Sequence, residues 1–113
     1  MIAAQRLQEI ADAQQKYQMR SGGRSYGSFK LLVEAGLLDE RYESDSPITD
    51  GYRYTMRIES VSGSQQPTFK VNADPYPADN WLIGKSHYYL DSKPSIHTNE
   101  GRPATADDRP CCR

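Results

Sequence analysis

The first twenty residues carry apolar side chains at a helical period. From Ile2 to Arg20 the chain contains no Gly or Pro and consists mostly of strong helix formers. A spacing of three and four residues places one set of side chains on a single face, with Ala4 and Ala11 at its border: Ala3, Leu7, Ile10, Gln14 and Tyr17. The pattern predicts a long amphipathic helix that ends at Gly22 and Gly23, because Gly accepts the left-handed geometry of a helix C-terminus.

The start of this helix lacks a capping residue. No Ser, Thr, Asp or Asn precedes Ile2, although these residues usually satisfy the first backbone amides of a helix. We therefore expect that the helix continues a segment that lies upstream in a longer protein, and that Met1 is an added start.

A second, shorter helix is predicted after the glycines. Ser28 is suited to cap a helix over about Phe29 to Ala35, and Gly36 would end it. The stretch from Asp39 to Asp50 is polar and acidic, so we expect a loop there.

The second half of the chain alternates between apolar and polar positions, which is the period of a strand with one buried face. The predicted strands are Tyr52 to Ser60, Thr68 to Ala73 and Lys85 to Asp91, with a short edge strand at Ile96 to Thr98. The short connections between them favour antiparallel pairing. An amphipathic helix needs an apolar surface to cover, and one face of such a sheet supplies it.

These elements predict an α+β domain over residues 1–98. Its long N-terminal helix, residues 1–21, and its short helix would pack on a three- to four-stranded antiparallel sheet. Residues 99–113 show no periodicity and are rich in Gly, Pro and charged residues, which predicts a flexible C-terminal tail that is either disordered or loosely docked on the domain.

Composition and charge narrow the classes of function. The chain of 113 residues has 14 basic and 15 acidic side chains and a net charge of -1. This balance does not favour nucleic acid or an anionic membrane surface as a partner. Among the tyrosines, Tyr52, Tyr54 and Tyr88 are expected in the core, and four others are expected at the surface, where exposed aromatic residues favour protein contacts: Tyr26, Tyr42, Tyr76 and Tyr89. No run approaches the roughly 18 apolar residues that a membrane span needs, and no signal-peptide pattern is present, so we expect a soluble chain as the sequence stands.

The two cysteines, Cys111 and Cys112, are adjacent and have no third cysteine to meet. Adjacent Cα atoms lie about 3.8 Å apart, which is shorter than the roughly 4.4 Å minimum Cα–Cα distance of most disulfide-bonded cysteines. Free thiols on a tail, a bridge to another chain and a strained redox pair all remain open.

Candidates for chemistry are few, and the sequence predicts no enzyme. His87 and His97 lie on neighbouring predicted strands, but a metal site would need further ligands at a fixed spacing. Two oxygen-rich stretches could hold a hard cation, but neither shows an ordered calcium-loop pattern, so we expect solvated acidic loops instead. They are the loop with Asp39, Glu40, Glu43, Asp45 and Asp50, and the group Asp74, Asp79 and Asn80.

The order and residues of several short pieces resemble the periplasmic half of a type IV pilin or type II secretion pseudopilin. The resemblance covers about residues 2–98. Its pieces are the helix Leu7 to Tyr17, then Ser25-Tyr26-Gly27-Ser28-Phe29, Ala35-Gly36-Leu37-Leu38-Asp39, Gly51-Tyr52-Arg53-Tyr54, Ala73-Asp74-Pro75 and Ser86-His87-Tyr88-Tyr89-Leu90-Asp91.

The resemblance implies a structural subunit of a pseudopilus or pilus, anchored in the inner membrane by a hydrophobic helix upstream of Ile2, with its globular domain in the periplasm. Its partners would be copies of itself, other pilins or pseudopilins, and an inner-membrane assembly platform. Five residues are expected to divide between helix–sheet packing and contacts with neighbouring subunits: Ala3, Leu7, Ile10, Ala11 and Tyr17.

The chain departs from the family pattern in three places. Pro94 stands where the last hairpin often has Gly, and Cys111-Cys112 cannot form the usual C-terminal loop disulfide. The resemblance implies no cofactor other than calcium, which major pseudopilins often bind, and no residue here can be matched to that site. Two alternatives remain: a small ligand- or partner-binding module of the cell envelope, centred on the Asp74 to Gly84 loop with Trp81, and the globular half of a split pilin.

Overall fold

The computed structural model describes residues 2–20, 22, 25–49, 51–59, 67–76, 86–92 and 95–110. Two helices, α1 (Ile2–Arg20) and α2 (Phe29–Glu34), are followed by a single 3₁₀ turn at Glu40–Tyr42. Six strands then follow in order: β1 (Ile48–Thr49), β2 (Tyr52–Glu59), β3 (Thr68–Pro75), β4 (His87–Asp91), β5 (Ile96–Asn99) and β6 (Arg109–Pro110).

The helix α1 buries the face that its apolar spacing predicts. Leu7 and Ile10 have no exposed surface, and Ala3 is 1% exposed. These side chains belong to one core cluster with residues of the inner face of the sheet: Tyr54, Phe69, Val71, Ala73, Tyr88 and Leu90. Burying a Leu or Ile side chain contributes roughly 1.5–3 kcal/mol, so this contact is a main source of stability.

The ends of α2 follow the rules for short helices. Ser28 has an extended backbone, and its hydroxyl accepts a hydrogen bond from the Leu31 amide. At the other end Gly36 has a φ of 76°, and the amides of Gly36 and Leu37 donate to the carbonyls of Val33 and Leu32. This pair of bonds satisfies carbonyls that the helix leaves open, so the helix ends where the glycine predicts.

The sheet is an antiparallel meander whose spatial order equals its chain order, β1-β2-β3-β4-β5-β6. In β2, buried or half-buried Tyr52, Tyr54, Met56 and Ile58 alternate with exposed side chains. Met56 lies opposite Val71, and Val71 lies opposite Leu90, which aligns the apolar faces of three strands beneath α1.

The sheet has six strands, so the expectation of three to four strands was wrong. The two additional strands, Ile48–Thr49 and Arg109–Pro110, are two residues each and pair at opposite edges of the sheet. A pair of residues is too short to show an alternating pattern, so neither strand has a periodic signal in the sequence.

The segment 99–110, which was predicted as part of a disordered or loosely docked tail, contacts the sheet at a few points, and most of its side chains are exposed. Arg109 pairs with Thr98, and Ala104 is 2% exposed. The Asn72 side chain donates to the Ala104 carbonyl at 2.8 Å. The segment therefore covers part of the sheet face opposite α1, which we call the outer face. Cys111 and Cys112 lie outside the described residues.

Candidate functional site

The expected packing and assembly residues of α1 do not share one environment. Ala3, Leu7 and Ile10 are fully or almost fully buried within the domain, so they have no surface left for a neighbouring subunit. Ala11 and Tyr17 are half-buried and border the core. Of the five candidates, only these two reach the surface, and any contact through α1 must also use its polar face.

Gln14 and Tyr17 hold the turn that leads into α2. The Gln14 side chain is fully buried, donates to the Gly27 carbonyl at 2.7 Å and accepts from the Gly27 amide at 2.9 Å. A Cβ on Gly27 would lie 3.2 Å from the Tyr17 ring, so a larger residue there would require the ring to shift by a few tenths of an ångström. The sequence signal for this contact is a glutamine on an apolar helix face, because a buried amide requires partners.

A groove of about 290 Å³ lies between α1 and the nearby ends of β3 and β4. We call it the α1 groove. Ala11, Tyr26 and Phe69 form its apolar part, and the Tyr26 and Phe69 rings meet edge to face with centroids 4.7 Å apart. Its polar rim consists of Gln8, Asp12, Gln15, Gln18, Asp91 and Ser92.

Close to the α1 groove, the last turn of α1 presents an exposed apolar side chain. Met19 is 74% exposed, the largest exposed fraction among the large hydrophobic residues that the structure describes. Exposed Lys16 and Arg20 flank it, and Arg20 donates to the Ala35 carbonyl at 3.2 Å. The surface of α1 thus carries an apolar residue with basic neighbours and, separately, an apolar groove with acidic neighbours.

A second groove, of about 480 Å³, lies on the outer face of the sheet and is called the outer-face groove. Its floor contains Arg57 and Lys70, which lie directly opposite each other on β2 and β3. Its wall is the segment 104–107. Like charges directly opposite each other disfavour strand pairing, and Glu59 lies 3.9 Å from the Lys70 amine and offsets part of this repulsion.

Asp108 fixes the wall of the outer-face groove. Its carboxylate accepts hydrogen bonds from the backbone amide of Thr105 at 2.8 Å and from both terminal nitrogens of Arg102 at 2.8 and 3.1 Å. It also accepts one from the side-chain amide of Asn99 at 3.2 Å. The bond from the Thr105 backbone and those from Arg102 lower the pKa of Asp108 to about 2. The carboxylate is therefore ionised at neutral pH and closes the turn.

The two histidines lie on the same side of neighbouring strands but have different partners. His87 Nδ1 lies 2.6 Å from the Asp74 carboxylate, and His97 Nδ1 lies 2.7 Å from the Asp108 carbonyl. Asp74, one of the candidate cation ligands, is thus occupied by His87. Asp50, Asp79, Asn80 and the Trp81 part of the loop lie outside the described residues.

The acidic loop does not converge on one point. Asp39 caps the 3₁₀ turn through the Arg41 amide and also lies 3.1 Å from the Arg41 Nε. Across the parts of the chain that the structure describes, no three His, Cys, Asp or Glu side chains come together in a way that could hold a metal ion.

Several tyrosines serve the core and stay protonated. Burial, together with Glu9, raises the pKa of Tyr42 well above its usual range, and burial raises the pKa of Tyr52 to about 12. Burial and the hydrogen bond to Asp91 also raise the pKa of Tyr89 well above its usual range. Tyr42 and Tyr89 were expected as exposed contact residues, but they are 0% and 5% exposed.

Within the described residues, none of the helices combines the length and the apolar character that crossing a bilayer requires. Comparison with known proteins gave no match, whether to family models, to curated proteins or to solved structures.

Proposed function

We propose that this chain is the globular domain of a structural subunit of a type II secretion pseudopilus or a type IV pilus, which assembles through its N-terminal helix. The observation that carries the proposal is the position of α1. Its apolar face covers an antiparallel sheet, and its polar face lies at the surface from Gln5 to Arg20. A subunit of this kind needs a helix that is fixed to its own domain and still presents a side to its neighbours.

The contacts between the pieces that resemble the pilin family also support the proposal. Gln14 and Tyr17, from the helix piece, both contact Gly27 of the second piece. Tyr52, from the Gly51 to Tyr54 piece, donates to the Ser86 carbonyl of the last piece at 3.2 Å. Short sequence pieces that each resemble the pilin family therefore contact one another in the folded domain.

In this role the work of the protein is mechanical. A hydrophobic helix upstream of Ile2 would hold the full-length protein in the inner membrane, with the described domain in the periplasm. An assembly platform would move that helix from the bilayer into a filament, where it is buried among its neighbours and the domain coats the outside. Catalysis is not part of this function.

Of the type II secretion pseudopilin and the type IV pilin, we favour the pseudopilin. The domain is small, and its only cysteines, Cys111 and Cys112, are adjacent and cannot close the long C-terminal loop of many pilins. In a split pilin the anchor is a separate polypeptide. The sequence upstream of Ile2 would distinguish a split pilin from a subunit that carries its own anchor.

Deleting the full-length gene tests the proposed function. We expect loss of surface filaments or of secreted proteins, and restoration of both by the wild-type gene on a plasmid. The upstream sequence should hold an apolar run after a short basic leader with a junction of Gly or Phe with Glu. Unchanged filaments and unchanged secretion in the deletion strain would refute the role.

The outer-face groove favours a second candidate, a small ligand- or partner-binding module of the cell envelope. Arg57, Lys70, Thr55 and Tyr89 line a space of about 480 Å³ whose wall is fixed by Asp108. A screen of metals and metabolites that follows the amide chemical shifts of these residues tests this function. A flat response across the screen would exclude it.

A further inference from the structure

We propose that the α1 groove receives Met19 of a second copy of this chain, so that successive copies contact each other through the sides of their α1 helices. The apolar floor of Ala11, Tyr26 and Phe69 is a place beside α1 where an aliphatic side chain can be buried against aromatic rings. Met19, with 74% of its surface exposed, is the side chain on the same helix that would gain most from burial. A thioether beside aromatic edges is also a favourable contact.

The charges around the two surfaces are complementary. Asp12 and Asp91 lie on the rim of the α1 groove, and Lys16 and Arg20 lie beside Met19. When Met19 enters the groove of a parallel copy, its basic neighbours lie on the side of the contact where Asp91 forms the rim. Opposite charges at the edge of an apolar contact accelerate association and select the partner and orientation.

A single copy cannot make this contact with itself. Met19 and the groove centre between Ala11 and Gln15 belong to the same rigid helix, about 60° apart around its axis and about 9 Å apart along it. A second copy with a parallel helix, turned by about 120° and raised by about 9 Å, brings the two surfaces together. Because the contact joins two different surfaces, it repeats from copy to copy and does not close into a pair.

The parallel arrangement of the copies rests on the proposed function, whereas the pairing of Met19 with the groove rests on the surface of α1. A two-fold pair of antiparallel helices could also place Met19 near Ala11, but it would bring the two Gln15 residues together at its axis. The test therefore has to report both the contact and the direction.

Disulfide cross-linking of the full chain provides this test. On a background with Cys111→Ser and Cys112→Ser, one population carries Met19→Cys and another, with a different tag, carries Ala11→Cys. We expect mixed dimers on oxidation, and little product from either population alone or from a control pair of Leu31→Cys with Ala11→Cys. Leu31 is a suitable control because it is also an exposed apolar residue, at 44%.

The charge component is tested in the same assay. Reversal of Lys16 and Arg20 to Glu should lower the rate of cross-linking about two- to fivefold at low salt, as expected for exposed ion pairs. Adding Asp91→Lys to the groove population should restore part of this rate. An unchanged rate in the first variant would contradict the orientation that we propose.

The outcomes separate this inference from the proposed function. Mixed dimers in solution, together with filaments that lack the protein, would support the contact and refute the filament role. Filaments that contain the protein but give no link from position 19 to position 11 would refute the contact alone. A strong Gln15→Cys homodimer would refute the parallel arrangement, because only a two-fold pair places those residues together.

Discussion

The replacement Gln14→Met removes both hydrogen bonds between α1 and Gly27 while keeping the length and helix propensity of the side chain. Gln14 is fully buried, and it bonds to the Gly27 amide at 2.9 Å and to the Gly27 carbonyl at 2.7 Å. The variant leaves a buried amide and a buried carbonyl without these partners. Each such loss costs about 1–3 kcal/mol, so we expect a decrease of about 2–4 kcal/mol in the free energy of unfolding.

Urea unfolding followed by far-UV circular dichroism measures this decrease. A loss of that size is a large part of the free energy of unfolding of an ordinary domain. It lowers the urea concentration at the unfolding midpoint by about 1–3 M. Gln15→Met is the matched control, because Gln15 is an exposed glutamine one position further along the same helix. We expect the control to change the free energy of unfolding by less than about 0.5 kcal/mol. Equal stability of the two variants would refute the role that we give to Gln14.

Two further predictions concern the Gly27 turn and the segment that covers the outer face. Gly27→Ala would place a Cβ 3.2 Å from the Tyr17 ring and should lower the free energy of unfolding by about 1–3 kcal/mol. Gly101→Ala is the control, because open space surrounds Gly101, and its effect should be far smaller. Thermal unfolding of both variants measures the difference. The pKa of Asp108 is about 2 in the folded chain against a usual 3.8, so its contribution to stability is present above pH 3.8 and is lost as the pH falls through 2. The hydrogen-exchange protection factors at 99–110, which are corrected for the intrinsic pH dependence of exchange, should therefore fall in that acid window. Asp108→Asn should lower them already at neutral pH, and wild-type protection factors in this variant would contradict the argument.

Long periodic patterns were sufficient to predict most of the fold. The 19 residues of α1 and the eight residues of β2 each repeat their period several times, so their buried faces were predicted correctly. The caps Ser28 and Gly36 also fixed α2, because each performs a local task that few other residues can perform.

The contacts of the segment 99–110 could not be predicted, because side-chain hydrogen bonds hold this segment against the sheet and it carries no periodic pattern. Asp108, Arg102 and Asn99 form contacts that depend on the exact path of the chain. This segment also explains Tyr89, which was expected at the surface. The position is polar by alternation along β4, but the covering segment buries it.

The candidate site was only partly predictable for a related reason. Periodicity identifies the face of α1 that is buried, and it does not show which border residues reach the surface. Ala11 lines the α1 groove only because Tyr26 and Phe69 arrive from distant parts of the chain. Such a groove is a property of the assembled fold, and the sequence carries no separate signal for it.

The most direct test of the filament role is the composition of filaments sheared from cells that express the full-length protein. We predict that the chain is a stoichiometric component, and that cryo-electron microscopy shows α1 facing the filament axis with the outer face of the sheet toward solvent. Filaments of normal yield without the chain, and a chain that stays monomeric in the cell envelope, would contradict the role of this protein as an assembly subunit.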